Sequence, residues 1–254
     1  MLEDVKSSRE ATLKPLRREY NSESVSTLRV KNCLTLDFLA AVNLQETLVV
    51  RKQQESLADM LLFVEHHHVY TLGRGGKDAH ILAAEDIPVH RTSRGGDVTY
   101  HGPGQLVVYP IIDLRSKMRK DVHRYVRNLE QCAISTLADF GLATSRRAPY
   151  TGIWIANRKI AAIGVAVRRC ITYHGLALNV NTDLAYFKRI IPCGLNWAEV
   201  TSMQKELGLE QSLSAVRRRF LGHFAEIFGY RNIVDSANQS DELNDLNGLN
   251  DLNL

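Results

Sequence analysis

Gly152-Ile153-Trp154-Ile155-Ala156, then Asn157-Arg158, then Lys159-Ile160-Ala161-Ala162-Ile163-Gly164-Val165-Ala166-Val167 is the stretch that decides the fold. Two apolar runs of strand length flank a short polar connection, the pattern of a β-hairpin. A third run, Ile171–Val180, supplies the next strand. Working outward, Leu106–Leu114 is a strongly apolar strand on the upstream side. Between it and the hairpin, Asp121 caps a helix whose face carries Val122, Val126, Leu129, Ala133, Leu137 and Phe140, and Gly141 stops it. Downstream, Val216, Phe220, Phe224 and Ile227 point inward from a helix over Leu213–Phe228, with Gly229 at its end. Nearer the start lie strands at Leu28–Leu34, Asp59–Val64 and Val69–Leu72, and a helix capped by Asp37 that carries Phe38, Ala41, Val42 and Val49. Strands with helices before, between and after them predict an α/β (α+β) fold, a mixed β-sheet packed by helices. The domain is expected over residues 28–231, with a polar extension at 1–27 and a low-complexity tail at 232–254.

The chain has 254 residues, 44% hydrophobic and 24% charged, which is ordinary globular composition. Its formal charge of +4 is too mild to argue for nucleic acid. No apolar run approaches the ~20 residues of a membrane helix. Four cysteines, Cys33, Cys132, Cys170 and Cys193, are scattered without a Cys-x-x-Cys pair. Such sparse thiols stay reduced, so the expected compartment is the cytoplasm, with mitochondrial matrix or plastid as the alternative. The extension carries Arg9, Arg17 and Arg18 but also Glu3, Asp4, Glu10 and Glu19, acids that a transit peptide avoids.

Three segments look over-specified for folding alone. Arg94-Gly95-Gly96-Asp97-Val98-Thr99-Tyr100-His101-Gly102-Pro103-Gly104-Gln105 concentrates glycine, arginine and histidine just ahead of an apolar strand. Glycines let the backbone approach a ligand and leave N–H groups to point at it. The segment lacks the phosphate-cradling G-x-x-x-x-G-K-[ST] pattern. Lys159 opens a strand, where a lysine is either a solvated end or a charge with a partner. Gly164 inside that strand marks close approach of a ligand or another backbone. Tyr173–Asn181 precedes Ile191-Pro192-Cys193-Gly194, and Cys193 between proline and glycine belongs on a turn. A turn cysteine has an accessible sulfur and a neighbouring N–H for an oxyanion, so Cys193 is the best nucleophile of the four. His66-His67-His68 alternate across a strand and so do not converge on one metal.

The loop Arg94–Gln105, Lys159–Gly164, His174-Gly175-Leu176-Ala177-Leu178-Asn179 and Pro192-Cys193-Gly194 occur in this order, and together they resemble the lipoyl(octanoyl) transferases. The resemblance runs from about Val30 to Gly208. It departs at His66-His67-His68, where the family commonly has His-Pro-Pro. It implies the catalytic fold shared with biotin and lipoate protein ligases, and no cofactor. It implies an acyltransferase that moves octanoyl from octanoyl-acyl carrier protein to a lysine of lipoyl domains, on 2-oxoacid dehydrogenase subunits and the glycine cleavage H protein. It implies Cys193 as the acyl-thioester nucleophile and Lys159 as the residue that activates it. Its substrate-binding stretches fall on Arg94, Gly95, Gly96, Asp97, Val98, Thr99, Tyr100 and His101, on Ala162, Ile163 and Gly164, and on His174, Gly175, Leu176 and Ala177.

Physical logic accompanies that assignment. Thioester exchange is nearly isoenergetic and amide formation from a thioester is downhill, so the cycle needs no ATP. A cysteine of ordinary pKa ~8.5 is mostly thiol at neutral pH, and a nearby ammonium favours the thiolate. Glycines 95, 96, 164 and 175 would leave a narrow slot for an unbranched chain, at ~0.8 kcal/mol per buried methylene. The rival readings are an ATP-dependent lipoate–protein ligase of the same fold, a non-catalytic acyl- or carrier-binding protein, and a hydrolase pairing Cys193 with His101 or His174. The tail repeats Leu-Asn-Asp or Leu-Asn-Gly every three residues over Glu242–Leu254, a period that suits neither helix nor strand. Deleting those residues is expected to leave turnover within about tenfold, or ~1.4 kcal/mol, in a steady-state assay.

Overall fold

The computed structural model describes residues 27–55, 57–195 and 197–235, and of Cys193 the backbone. The extension up to residue 26 and the repeats of 242–254 lie outside the described residues. Strand β1 (Thr27–Leu36) leads into helix α1 (Phe38–Gln54), whose first turn is capped by Asp37, its carboxylate accepting the Ala40 N–H at 3.0 Å. Strands β2 (Asp59–His66) and β3 (Val69–Leu72) follow, then β4 (Val89–Arg91), β5 (Val98–His101) and β6 (Gln105–Ile111). A one-turn helix, α2 (Leu114–Lys117), precedes the long α3 (Val122–Ala138). Then come β7 (Ser145–Arg147), β8 (Tyr150–Ile155), β9 (Arg158–Arg168) and β10 (Ile171–Asn179). Strand β11 (Glu199–Val200), helices α4 (Met203–Leu207) and α5 (Leu213–Phe228) and strand β12 (Asn232–Asp235) complete the described chain.

Among the described residues a nine-stranded mixed sheet runs β12-β1-β2-β6-β10-β9-β8-β7, with β11 paired to β9. The pairs β12–β1, β1–β2 and β9–β11 are parallel, and the others are antiparallel. Alternation along β2 divides the interior. Leu61 and Phe63 face a core shared with Tyr125 and Leu129 of α3 and Phe220 and Phe224 of α5. Met60, Leu62 and Val64 face α1, against Ala41, Leu48 and Val49. The mixed sheet packed by helices is therefore as expected. The hairpin β8–β9 and the bounds of α5 also agree with the sequence reading.

Three expectations need correction. The glycine-rich segment is not all loop: β5 pairs antiparallel with β3, and β3 with β4, in a separate three-stranded sheet. Its partner strand lies some thirty residues earlier, out of reach of local patterning. The domain extends past Arg231, because β12 pairs with β1 from Thr27↔Asn232 to Val30↔Asp235. Val122, expected inward, is exposed on the first turn of α3.

Distant parts of the chain meet at Asp59. Its carboxylate lies 2.9 Å from the Lys52 ammonium and accepts hydrogen bonds from the Asp113 N–H (3.0 Å) and the Tyr230 hydroxyl (2.7 Å). Burial and that carboxylate hold the Tyr230 hydroxyl well above its ordinary pKa. Both partners of the ion pair are buried, so removing one strands the other in low dielectric. Lys52→Met is expected to cost about 3 kcal/mol, read from urea unfolding. A loss under about 1 kcal/mol would put the pair in the class of surface ion pairs.

Candidate active site

Strands β9 and β10 pair Ala162 with Ala177, Ile163 with Leu176 and Gly164 with Gly175. The glycine-rich segment lies across this pair, and the Gly95 N–H donates to the Val165 carbonyl at 2.9 Å. Contact that close needs the missing side chain of Gly164, where a Cβ would stand 2.8 Å from the Gly95 oxygen. Gly175 serves the neighbouring strand, since a Cβ there would stand 2.1 Å from the Val108 oxygen. These two glycines thus make room for protein backbone, and both also line the slot described next. Arg94 is buried and folds the segment back on β3: its guanidinium donates to the Thr71 carbonyl (2.6 Å) and hydroxyl (2.9 Å) and to the Asp97 carbonyl (2.8 Å).

Between loop and strands runs a mainly apolar slot. Arg94, Gly96, Asp97, Val98, Thr99 and His101 line it from one side, and Ala162–Gly164 with His174–Ala177 from the other. Gly95 faces an adjoining open cleft instead. Tyr100 is the exception among the expected residues. Alternation along β5 turns its ring into the small sheet's core, stacked on Tyr186 at 5.0 Å. Phe38, Val107 and Tyr109 also line the slot, and the sequence reading missed them in that role. They sit in ordinary apolar patterns, and only the fold brings them to the slot.

Three histidines close this region. His101 bonds through Nδ1 to Gln105 Oε1 (2.7 Å) and lies 3.4 Å by Nε2 from the Thr71 hydroxyl. His66 bridges the Leu36 carbonyl and the Tyr109 hydroxyl, each at 2.8 Å. His174, at a left-handed φ of 54°, donates its backbone N–H to Gln45 and lies 3.2 Å by Nε2 from Ser93 Oγ. Burial pushes His66 and His174 down to about 4 and His101 to about 3. All three imidazoles are hydrogen-bonded; His101 and His174 line the slot, and His66 packs behind it against His101 and Tyr109. His66 is buried at the end of β2, whereas His67 and His68 lie exposed in the connection that follows it, so the three do not alternate along one strand.

Lys159 lines the open cleft and not the slot itself. It is buried at 7% exposure, with Nζ 5.3 Å from the Trp154 ring centroid. Gly152 gives it room, since a Cβ there would stand 2.5 Å from Lys159 Cε. Lys159 lines the open cleft together with Leu195, and a small adjoining cavity together with Pro192, Thr99, Ala162 and Ala177. Pro192 and Leu195 bracket Cys193, whose backbone belongs to a 3-10 turn, Pro192–Gly194. The Gly194 N–H donates to the Ile191 carbonyl at 3.0 Å, so the expected free oxyanion donor is engaged in closing the turn. The other thiols lie elsewhere. Burial raises Cys33 to about 11 and Cys132 higher still, while Cys170 follows β9 at the end opposite Lys159.

Residues 37–225 match the family model of the lipoyl protein ligase A/B catalytic domain. The octanoyltransferase of Solibacter usitatus is 51% identical over 201 residues, 77% of this chain and 90% of its own length. That of Koribacter versatilis is 46% identical over 211 residues, 79% and 84% of the two chains. Among solved structures, a bipartite lipoate protein ligase from Thermoplasma acidophilum superposes with a TM-score of 0.61 at 18% identity, covering 81% of this chain and 86% of that one. At that identity the likeness shows the fold alone.

The buried histidines couple stability to pH. In the unfolded chain each imidazole takes a proton near pH 6.5, but in the fold His66 and His174 do so only near 4 and His101 near 3. Between those values the unfolded chain binds more protons, so stability is full above about pH 6.5 and falls on acidification toward 4. The slope is up to ~1.4 kcal/mol per pH unit for each histidine. His66→Gln is expected to remove about one such share, measured by urea unfolding at pH 7, 6 and 5.

Proposed function

The chain belongs to the lipoyl protein ligase A/B catalytic-domain family, and from that premise we propose that it is an octanoyltransferase working through a thioester on Cys193. The donor is octanoyl-acyl carrier protein. The acceptor is a specific lysine of lipoyl domains, on 2-oxoacid dehydrogenase subunits and the glycine cleavage H protein. One observation carries the reading: loop, β9 and β10 converge on an apolar slot whose end meets the cavities that Lys159 shares with Pro192 and Leu195. Free Cys33, Cys132 and Cys170 accord with a reducing, cytoplasmic setting.

The chemistry runs in two transfers. The Cys193 thiolate attacks the octanoyl thioester carbonyl, and the phosphopantetheine thiolate leaves with the proton of the Lys159 ammonium, which becomes the neutral amine. The acceptor lysine's amine then attacks the new thioester, its proton passes to Lys159, and the Cys193 thiolate is regenerated. A buried ammonium beside the turn favours the thiolate in the first half. Once the thiolate is acylated, Lys159 has lost its counter-charge and can serve as the proton acceptor. The slot buries the eight-carbon chain, and each methylene adds ~0.8 kcal/mol to binding.

A lipoate-protein ligase A bound with ATP shares this fold at a TM-score of 0.61 and 18% identity. The turn cysteine beside Lys159's cavities and the 43–51% identity to octanoyltransferases favour the transferase. Buried His101 and His174, with ring nitrogens already in hydrogen bonds, weigh against a Cys–His hydrolase.

Intact-protein mass spectrometry after mixing with octanoyl-acyl carrier protein is expected to show one added octanoyl group, mapped by peptide analysis to Cys193. An acyl group on Cys33, Cys132 or Cys170 would sink the assignment. Lys159→Ala is expected to lower transfer by about 10²-fold or more and to slow alkylation of Cys193 at neutral pH, with recovery at high pH. Lys159→Arg keeps the charge but not the base, so it is expected to acylate and stall. An unchanged alkylation profile in Lys159→Ala would separate the lysine from the thiol.

A further inference from the structure

The Pro192–Gly194 turn is gripped from outside by a residue that the mechanism above leaves unused. His80 closes the short 3-10 turn Asp78–His80, between β3 and β4. Its carbonyl accepts the Ile191 N–H at 2.8 Å, one residue ahead of the cysteine turn. The seam continues backward along the chain. Ile81 bridges Ile190, and the N–H groups of Leu82 and Ala83 both reach the Arg189 carbonyl, at 2.8 and 3.1 Å.

The imidazole of His80 reaches the other flank of the same turn. Its Nδ1 lies 2.5 Å from Asp97 Oδ2, and the pair packs on Gly194. A Cβ on Gly194 would stand 2.8 Å from Asp97 Oδ2 and 3.1 Å from His80 Cε1, while φ of +67° independently favours glycine there. Asp97 is itself anchored: Oδ1 accepts the Val98 N–H at 2.6 Å and the Lys77 N–H at 3.3 Å, and its carbonyl accepts from Gly73 and Arg94. Both side chains are mostly shielded from water, at 20% and 14% exposure.

We propose that His80 and Asp97 are a positioning pair that latches the cysteine-bearing turn onto the glycine-rich loop. The proposal rests on the reading of Cys193 as nucleophile. A three-residue 3-10 turn has weak internal hydrogen bonding and cannot set its own place. His80 supplies the missing constraint, since its carbonyl holds the chain entering the turn and its ring, with Asp97, holds the residue leaving it. The same hydrogen bond occupies Asp97 Oδ2, the carboxylate oxygen that faces Gly194. Misplacing a reacting group by about 1 Å can cost 10²-fold in rate, so the latch matters to acylation more than to folding.

The test measures turn order and chemistry separately in His80→Ala, His80→Asn and Cys193→Ala. Hydrogen exchange of peptides spanning residues 189–195 is expected to speed up about tenfold or more in His80→Ala. Single-turnover acylation by octanoyl-acyl carrier protein is expected to slow by about 10- to 100-fold at saturating donor, with the apparent donor affinity within about twofold. His80→Asn keeps a side-chain N–H near the Nδ1 position and is expected to restore both readouts to within about threefold. Exchange in His80→Ala that matches wild type, or His80→Asn as impaired as His80→Ala, would overturn the latch. If exchange rises in His80→Ala while Cys193→Ala still transfers octanoyl at the wild-type rate, the latch stands and the nucleophile reading fails. If Cys193→Ala is inactive while His80→Ala exchanges and acylates normally, the latch alone fails.

Discussion

The site depends on one close backbone approach, that of the glycine-rich loop to strand β9. The Gly95 N–H reaches the Val165 carbonyl, and any side chain at 164 would push the two apart. Arg94 secures the loop from its other side with hydrogen bonds to Thr71 and to the backbone of Asp97. A buried guanidinium left without acceptors is far costlier than a neutral donor, so the loop has a single low-energy seat. From that seat follow the roof of the slot, the direction of β5 and the place of Asp97. Asp97 in turn touches the turn that carries Cys193.

Local signals made much of this legible in the sequence. Asp37 and Asp121 cap their helices as side-chain chemistry dictates, and α5 runs between the residues that its apolar period and Gly229 mark. The hairpin β8–β9 follows from alternating apolar residues and a short polar link. What escaped the reading depends on partners distant in sequence. Strand β5 forms because β3 offers an edge, and β12 because β1 does. Glycines 164 and 175 announce close approach, but the sequence does not say to what, and both prove to face protein backbone. Tyr100 reads in sequence like its loop neighbours, yet strand alternation sends it to the opposite side from Thr99 and His101. His80 carried no local signal at all, because its meaning lies in Asp97 and Ile191.

The polar groups around the slot are arranged so that none of the imidazoles carries charge there. His66, His101 and His174 are held neutral by burial and occupied by Tyr109, Gln105 and Ser93. Arg94 lines the slot too, but its guanidinium is saturated by protein oxygens, which lets a cation border an apolar space without demanding a ligand.

Charge is concentrated instead at the boundary. Gly96, Asp97, Ile163 and Gly164 border both slot and open cleft, and Lys159 faces the cleft next to the cavity that contains Pro192. This division answers a conflict in the chemistry. An acyl chain is best buried in a dry, neutral slot, whereas a thiolate and an attacking amine need a cation and room for macromolecular substrates to arrive. In the proposed reaction the chain lies in one environment while its carbonyl reacts at the edge of the other. A turn this short takes its place from contacts outside itself. The seam from Arg189 to Ile191 and the packing of Asp97 on Gly194 supply those contacts.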